Sequence, residues 1–327
     1  MKALARALRD PSSVASLDAA GWMDLLTAAR AEQLIASLAL RVEGQPVPPR
    51  AAEILADARA AAEQGRVRAL WEAEMAWRAL APLDVPVVLL KGTAFVAADM
   101  EAGQGRFIGD LDILVPRDRL DEVEQALLGV GWVWVKDNPY DALYYRQWMH
   151  ELPPMIHAER DRMIDVHHTI LPLTARPKPD ADALLADAVA IGDDLWTLSP
   201  EDRVIHAAAH MLADGDLQGG LRNLWDIHCL LHDIDRSTLD RRAARHGLRA
   251  HVRQAQRLAG ALYGGGAALT PWDRIVRARL LARDGWGRET RKLLVFAFYL
   301  RSHWLRMPPL MLARHLWTKW RKGHRPR

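Results

Sequence analysis

The sequence predicts an α+β fold in which a small mixed sheet sits between an N-terminal and a C-terminal helical region. Three observations carry that reading: helical apolar spacing up to about Leu83, a middle stretch that alternates strand-like and helix-like segments, and helical periodicity again from Ser199. The 327 residues are 50% apolar and 26% charged, which excludes a disordered or collagen-like chain and leaves room for two domains, or one with a helical extension. The segments divide the chain into 1–82, 83–172 and 173–327.

In the first region Leu25, Leu26, Leu34, Ile35 and Leu38, then Leu70, Met75 and Leu80, follow the spacing of a helix face, interrupted by the turn GQPVPPR at 44–50. The character changes between Pro82 and Pro86. Val87, Val88, Leu89 and Leu90 form the continuous apolar run of a strand buried on both faces, and the run ends in Lys91-Gly92-Thr93. A helix is predicted over 94–101, then a Gly-rich loop, a strand over 111–115 stopped by Pro116, and a helix over 118–128 with acidic residues in its first turns. Strand-like stretches follow at 132–136, weakly at 144–150, and at 163–170. Ser199-Pro200-Glu201-Asp202 is a helix-capping pattern ahead of an apolar-periodic run to Leu212, and further helices are punctuated at 215–220, 264–266 and Pro308-Pro309.

The 44 Lys plus Arg and 41 Asp plus Glu give a net charge of +3, but its distribution is uneven. Arg301, Arg306, Arg314, Lys319, Arg321, Lys322, Arg325 and Arg327 face no acidic residue in the last 27 positions, so the tail is net +8 and the body net −5. This excludes a globally basic protein that coats nucleic acid. In 310–327, Leu310, Leu312, Leu316, Trp317 and Trp320 lie among the basic residues, a composition suited to weak contact with an anionic membrane surface or RNA. A packed terminal helix with a frayed basic end has the same composition. The apolar run 293–300 is far short of the roughly 20 residues that cross a bilayer. One cysteine, Cys229, forms no internal disulfide and fits a reducing cytoplasm, and the N-terminal stretch meets Pro11 before a secretory signal's apolar segment develops. The expected location is cytoplasmic, with the tail permitting peripheral contact with the inner membrane.

The sharpest local pattern is Gly109-Asp110-Leu111-Asp112-Ile113-Leu114-Val115. Side chains alternate along a strand, so Asp110 and Asp112 share a face while Leu111 and Ile113 point into a core. Paired carboxylates repel unless a cation or a proton intervenes, and Mg²⁺ with phosphate oxygens is the usual cation. An Asp-x-Asp pair also occurs on solvated strand edges. In Met163-Ile164-Asp165-Val166-His167-His168-Thr169-Ile170 the same alternation groups Asp165, His167 and Thr169. If the two strands are neighbours, three carboxylates converge as an in-line displacement with two metals requires. Lys91-Gly92-Thr93 offers a tight turn against phosphate, and Arg106 lies four residues before Asp110. Both cations are equally compatible with solvated loops.

LLKGTA, Arg106, GDLDILVP and the later IDVHH together resemble the nucleotidyltransferase superfamily with a polymerase-β-like palm, and are most similar to the bacterial family of uncharacterised nucleotidyltransferases. The resemblance is specific over 85–170 and weaker over 201–231, where HAAAHML and LRNLWDIHCLL look like the family's helical portion. It implies a palm in the α/β core, Asp110 and Asp112 as the metal-binding pair, Asp165 as the third catalytic carboxylate, and His167 as the His of its Asp-x-His. It further implies Gly92 and Thr93 at the phosphate turn, where the residues themselves suggest Lys91 and Arg106 as further nucleotide-binding groups. The implied chemistry is transfer of a nucleoside monophosphate from an NTP to an unknown acceptor (small molecule, peptide or RNA), with two Mg²⁺ ions, or Mn²⁺ in their place. Thr93 stands where better-known transferases have Ser, and the stretch to Asp110 is longer than theirs.

Other motifs compete. His206 and His210, spaced i and i+4, share a helix face, but HAAAH has no Glu and no clear third ligand, which removes a metalloprotease; a structural or substrate-facing role remains, His210 being the substrate candidate. The glycines at 103–109 are out of register for a dinucleotide fingerprint and do not directly follow a strand. Arg222 and Asp226 form an intrahelical ion pair or face the substrate. Two rivals to the transferase stand beside it: a catalytically degenerate palm that binds without turnover, and a toxin-like transferase acting on tRNA through the basic tail.

Overall fold

The structure is a computed structural model that describes residues 1–135, 139–192, 195–232, 234–264 and 266–306, with 312 and 317; side chains are described at these positions except 139–142 and 214. The basic tail at 310–327 therefore lies outside the described residues apart from Leu312 and Trp317, as do Pro308-Pro309 and the end of the predicted strand at Lys136.

The fold is α+β, with a mixed seven-stranded sheet among helices. Its strands are β1 (Val88–Leu89), β2 (Asp110–Leu114), β3 (Trp132–Trp134), β4 (Met155–His157), β5 (Met163–His167), β6 (Val189–Ala190) and β7 (Trp196–Thr197), in the order β3-β4-β5-β2-β1-β7-β6. β2 and β5 are parallel, with Asp112 opposite Asp165 and Ile113 opposite Val166. β1 runs antiparallel to β2 on the other side and parallel to β7. Leu111, Ile113, Ile164 and Val166 are buried on the face opposite the carboxylates, so hydrophobic burial selects the register that puts Asp110, Asp112 and Asp165 together. A slip of one residue would turn all three into the core.

Four features depart from the sequence reading. The weak strand expected at 144–150 is instead a helix, Pro139–Trp148, in which Tyr144 and Trp148 meet edge to face with ring centroids 5.5 Å apart. That i, i+4 aromatic contact exists only on a helix. β4 takes the place of the expected strand and pairs antiparallel with both β3 and β5. β6 and β7 lie beyond residue 172 yet extend the sheet. Finally, the helix expected from Ala94 begins at Lys91 and runs Lys91–Ala97, so Lys-Gly-Thr is its first turn.

The 32-residue helix Pro49–Leu80 packs against β2 and the helices Lys91–Ala97 and Leu120–Gly129. Glu72 on this helix accepts a two-pronged hydrogen bond from Arg160 in the β4–β5 turn, at 3.0–3.1 Å. On the C-terminal side, Ser199 caps the helix Pro200–Ala208, its Oγ accepting from Asp202 N at 3.3 Å, and the chain continues as a π-helical turn over Ala209–Asp214. Arg242 grips the buried Asp202 through Nε and Nη2 at 2.8 and 2.6 Å, fixing this helix to the helix Arg236–Arg245. The helix Pro200–Ala208 contributes Arg203, His206 and Ala207 to the wall of a cavity beside Lys91.

Candidate active site

Asp110, Asp112 and Asp165 each present an oxygen within 4.8 Å of the others. Asp112 is buried, Asp165 half-buried, and Asp110 stands at the rim. Lys91 Nζ donates to Asp112 Oδ1 at 2.6 Å, and His167 Nε2 lies 2.9 Å from the same oxygen. Burial alone would raise the Asp112 carboxyl, but Lys91 and His167 outweigh it and hold the group well below the usual carboxylate range. Burial likewise depresses the Lys91 ammonium, yet Asp112, Asp110 and Glu151 hold it above its ordinary value. Asp165 lies at the opposite extreme: burial, then Glu151 and Asp112, push it up to about 7. Desolvation and neighbouring Asp112 also raise Asp110. Such a cluster is short of positive charge, and its donors are all hard oxygens, so the residues fit a divalent cation of the Mg²⁺ type.

Lys91 reaches this position from a left-handed backbone, φ +48°, which is strained for a residue with a side chain. Gly92 follows because a Cβ there would come within 2.5 Å of Arg106 Nε. The long stretch between Thr93 and Asp110 thus folds back, and Gly105 (φ +62°) lets it pass against the backbone at Ala36 and Ser37. Arg106 lies over Phe95 and pairs with Asp226. Thr93 is buried, its Oγ1 3.4 Å from Asp110 O at the start of β2. Arg222 is buried behind this layer: its Nε donates to Asp226 Oδ1 at 2.9 Å, Nη1 to Ser37 Oγ at 2.7 Å and Nη2 to Ala102 O at 2.9 Å. Asp226 reaches the cleft, whereas the Arg222 donors are taken up by protein.

A small cavity of about 50 Å³ opens between Lys91 and the helical wall, lined also by Arg106, Arg203, His206, His210 and Asp226. Its lining carries three buried polar atoms without a protein partner, Arg106 Nε, Arg203 Nε and Thr197 Oγ1. Burial and then Lys91 hold His206 well below its ordinary value, so it is a neutral imidazole. His210 sits in the π-helical turn, exposed to the cleft. The sequence reading grouped His206 with His210 but missed Arg203 and Thr197, which no local pattern marks.

Glu151 and His150 were missed as well. Leu152 N donates to Val166 O at 2.8 Å and His168 N to His150 O at 2.9 Å, so this short segment is stitched beside the end of β5. Glu151 Oε2 is 3.4 Å from His167 Nδ1 and 3.6 Å from His150 Nε2. After burial, it has the strongest upward influence on Asp165.

The chain belongs to the family described as uncharacterised nucleotidyltransferases, whose model matches residues 18–264 and so takes in the N-terminal helices as well as the sheet. It is accordingly a transferase enzyme, of the class that moves nucleoside monophosphates. Among solved structures it is similar to a crystal structure of ANT(2″)-Ia in complex with adenylyl-2″-tobramycin, at 13% identity and a TM-score of 0.38, over 57% of this chain and 98% of that one. A solution structure of the antibiotic-resistance factor ANT(2″)-Ia matches at 13% identity and a TM-score of 0.37, over 56% and 94%. No curated protein matches the chain. Among the described residues, no helix is long and apolar enough to cross a membrane.

Proposed function

We propose that the protein transfers a nucleoside monophosphate from an NTP to an acceptor hydroxyl on a small molecule, peptide or RNA, with release of pyrophosphate. The observation that carries this reading is the convergence of Asp110, Asp112 and Asp165 on one face of two parallel strands. These carboxylates would hold two Mg²⁺ ions, with Mn²⁺ able to replace them, and the bound ions supply charge neutralisation at the phosphates and acidify the attacking hydroxyl.

The remaining roles fall to the chain's own groups. A bond forms between the acceptor oxygen and the α-phosphorus as the α–β bridging bond breaks. Asp165, the third carboxylate of the cluster, takes the acceptor's proton. His167 fixes the orientation of Asp112. Lys91 exchanges its contact with Asp112 for the triphosphate, and Arg106, brought close by Gly92, meets the same charge with its free Nε. Thr93 steadies the start of β2. His206, His210, Arg203 and Asp226 line the cavity for nucleotide or acceptor, while Arg222 holds Asp226 in place. The α/β core of 83–172, widened by 189–197, does the chemistry between the helical segments.

Incubation with each NTP radiolabelled in its γ-phosphate, with Mg²⁺ and a cell extract as the source of acceptor, tests this. The wild-type chain is expected to release labelled pyrophosphate, and Asp112→Asn to abolish the release; equal release by both proteins would overturn the assignment.

A further inference from the structure

We infer a second cation site, chemically unlike the carboxylate cluster, formed by His150, Glu151 and His167 and suited to a nitrogen-preferring divalent transition metal of the Zn²⁺ class. One ligand atom from each of the three residues lies within 4.8 Å of the others.

The tautomer of His167 carries the argument. Asp112 Oδ1 is a carboxylate acceptor 2.9 Å from His167 Nε2, so Nε2 bears the hydrogen. The other ring nitrogen, Nδ1, is therefore either a lone pair or a second N–H. His167 is 1% exposed, and Nδ1 is buried without a hydrogen-bond partner. As an N–H it would make only a long ion pair with Glu151 Oε2 at 3.4 Å, without the alignment of a hydrogen bond; as a lone pair it faces the same oxygen, acceptor against acceptor. A divalent cation that displaces that proton to solvent, or that sits beside the lone pair, gives both Nδ1 and the Glu151 oxygen a partner. A histidine that donates one N–H to a carboxylate and turns its other nitrogen to a metal is the usual outer-shell arrangement of metal sites.

Distances and ligand type agree. Glu151 Oε2 is 3.4 Å from His167 Nδ1 and 3.6 Å from His150 Nε2. Two ligands at 2.0–2.1 Å on a tetrahedral ion stand about 3.3 Å apart. Two imidazoles and one carboxylate oxygen also form a borderline-soft set that leaves a fourth position open, whereas the Asp cluster offers oxygen alone. The backbone is braced, because residues 150 and 152 are hydrogen-bonded to 168 and 166 at the end of β5. The two sites meet at the His167–Asp112 hydrogen bond, so an ion on Nδ1 would orient Asp112 and strengthen its hold on Mg²⁺.

The test measures metal rather than transfer, and so can fail or succeed independently of the proposed reaction. The full chain is stripped with chelator, dialysed against trace Zn²⁺ in saturating Mg²⁺, and assayed for bound zinc; Co²⁺ is then substituted and its visible spectrum recorded. We expect one equivalent of zinc and the intense bands of tetrahedral cobalt. His150→Ala and Glu151→Gln, checked for fold by circular dichroism, should each weaken zinc binding at least about 10-fold, the scale on which outer-shell and ligand changes act. Loss of the zinc should weaken Mg²⁺ binding at the triad by a similar factor. Failure of the wild-type chain to retain zinc would overturn the site, as would unaltered retention by both variants or a weak octahedral cobalt spectrum, which would place the ion among the aspartates. Should either variant fail to fold, the wild-type stoichiometry and cobalt spectrum still decide.

Discussion

Asp112 and Asp165 are direct neighbours across β2 and β5, yet the protein treats their charges in opposite ways. Asp112 is held ionised by Lys91 and His167, and Asp165 is crowded by burial, Glu151 and Asp112. Their amides should separate function from stability. Asp112→Asn is expected to lower transfer by roughly 10²–10³-fold or more, the scale of losing one group that stabilises transition-state charge. It should also destabilise the fold by about 1–3 kcal/mol, because Lys91 and His167 lose a charged partner. Asp165→Asn should be as damaging to transfer, but in chelator it removes a repulsion and should raise stability by about 1 kcal/mol. Pyrophosphate release and melting curves of both variants check this, and a less stable Asp165→Asn would contradict the charge balance. The three aspartates were legible in sequence because strand alternation assigns their faces locally. Glu151, His150, Arg203 and Thr197 were not, since each joins the site through a contact that no spacing rule encodes.

At the scale of elements, the site depends on a loop being pressed against a helix start. Gly92→Ala would drive a methyl group into Arg106 Nε, and we expect a rise in KM for NTP with a stability loss of about 1–3 kcal/mol, measured by steady-state kinetics and denaturant titration. Arg222→Ala should cost about 3–5 kcal/mol in chemical denaturation, because it leaves buried Asp226 short of charge compensation and frees the contacts to Ser37 and Ala102. The helix Pro271–Leu280 supplies a pH prediction. Asp273 and Thr270 form a reciprocal cap, and Arg257 Nε donates to Asp273 Oδ2 at 2.7 Å. Burial would raise this carboxyl, but Arg257 and the capping hydrogen bonds outweigh it and bring it down to about 2. The folded value lies below the unfolded value of about 3.9, so the stabilisation is complete above pH ~4 and lost as pH falls toward about 2. Denaturant titrations between pH 2 and 7 should show a shallower acid limb for Asp273→Asn. Elements were legible where periodicity is long. The helix Pro139–Trp148 was misread because a short aromatic-rich segment satisfies strand propensity until its i, i+4 ring contact is seen. β6 and β7, two residues each, are too short to carry a period at all.

For the whole molecule, the cleft lies between the sheet and the C-terminal helices, and the N-terminal helices brace its back through Glu32 and Ser37. Glu32 accepts from Leu221 N at 3.1 Å, and Arg222 spans from the helix Gly220–Leu230 to Ser37, so terminal regions far apart in sequence brace Arg106 together. The net +8 tail belongs to a different scale of interaction. Removal of residues 310–327 should leave pyrophosphate release intact and reduce retention on anionic vesicles at low salt, as measured by co-sedimentation. By itself the sequence determined the α+β class, the strands that carry Asp110, Asp112 and Asp165, and the helical segments around them, because burial periodicity is a local property of the chain. Only the tertiary structure decided that β2 and β5 are neighbours and that β7 joins the sheet beside β1. It likewise decided that Lys91 neutralises Asp112, and that His150 and Glu151 flank His167. These are contacts between residues distant in sequence or carried by irregular backbone, and they are selected by packing and charge compensation in the folded chain.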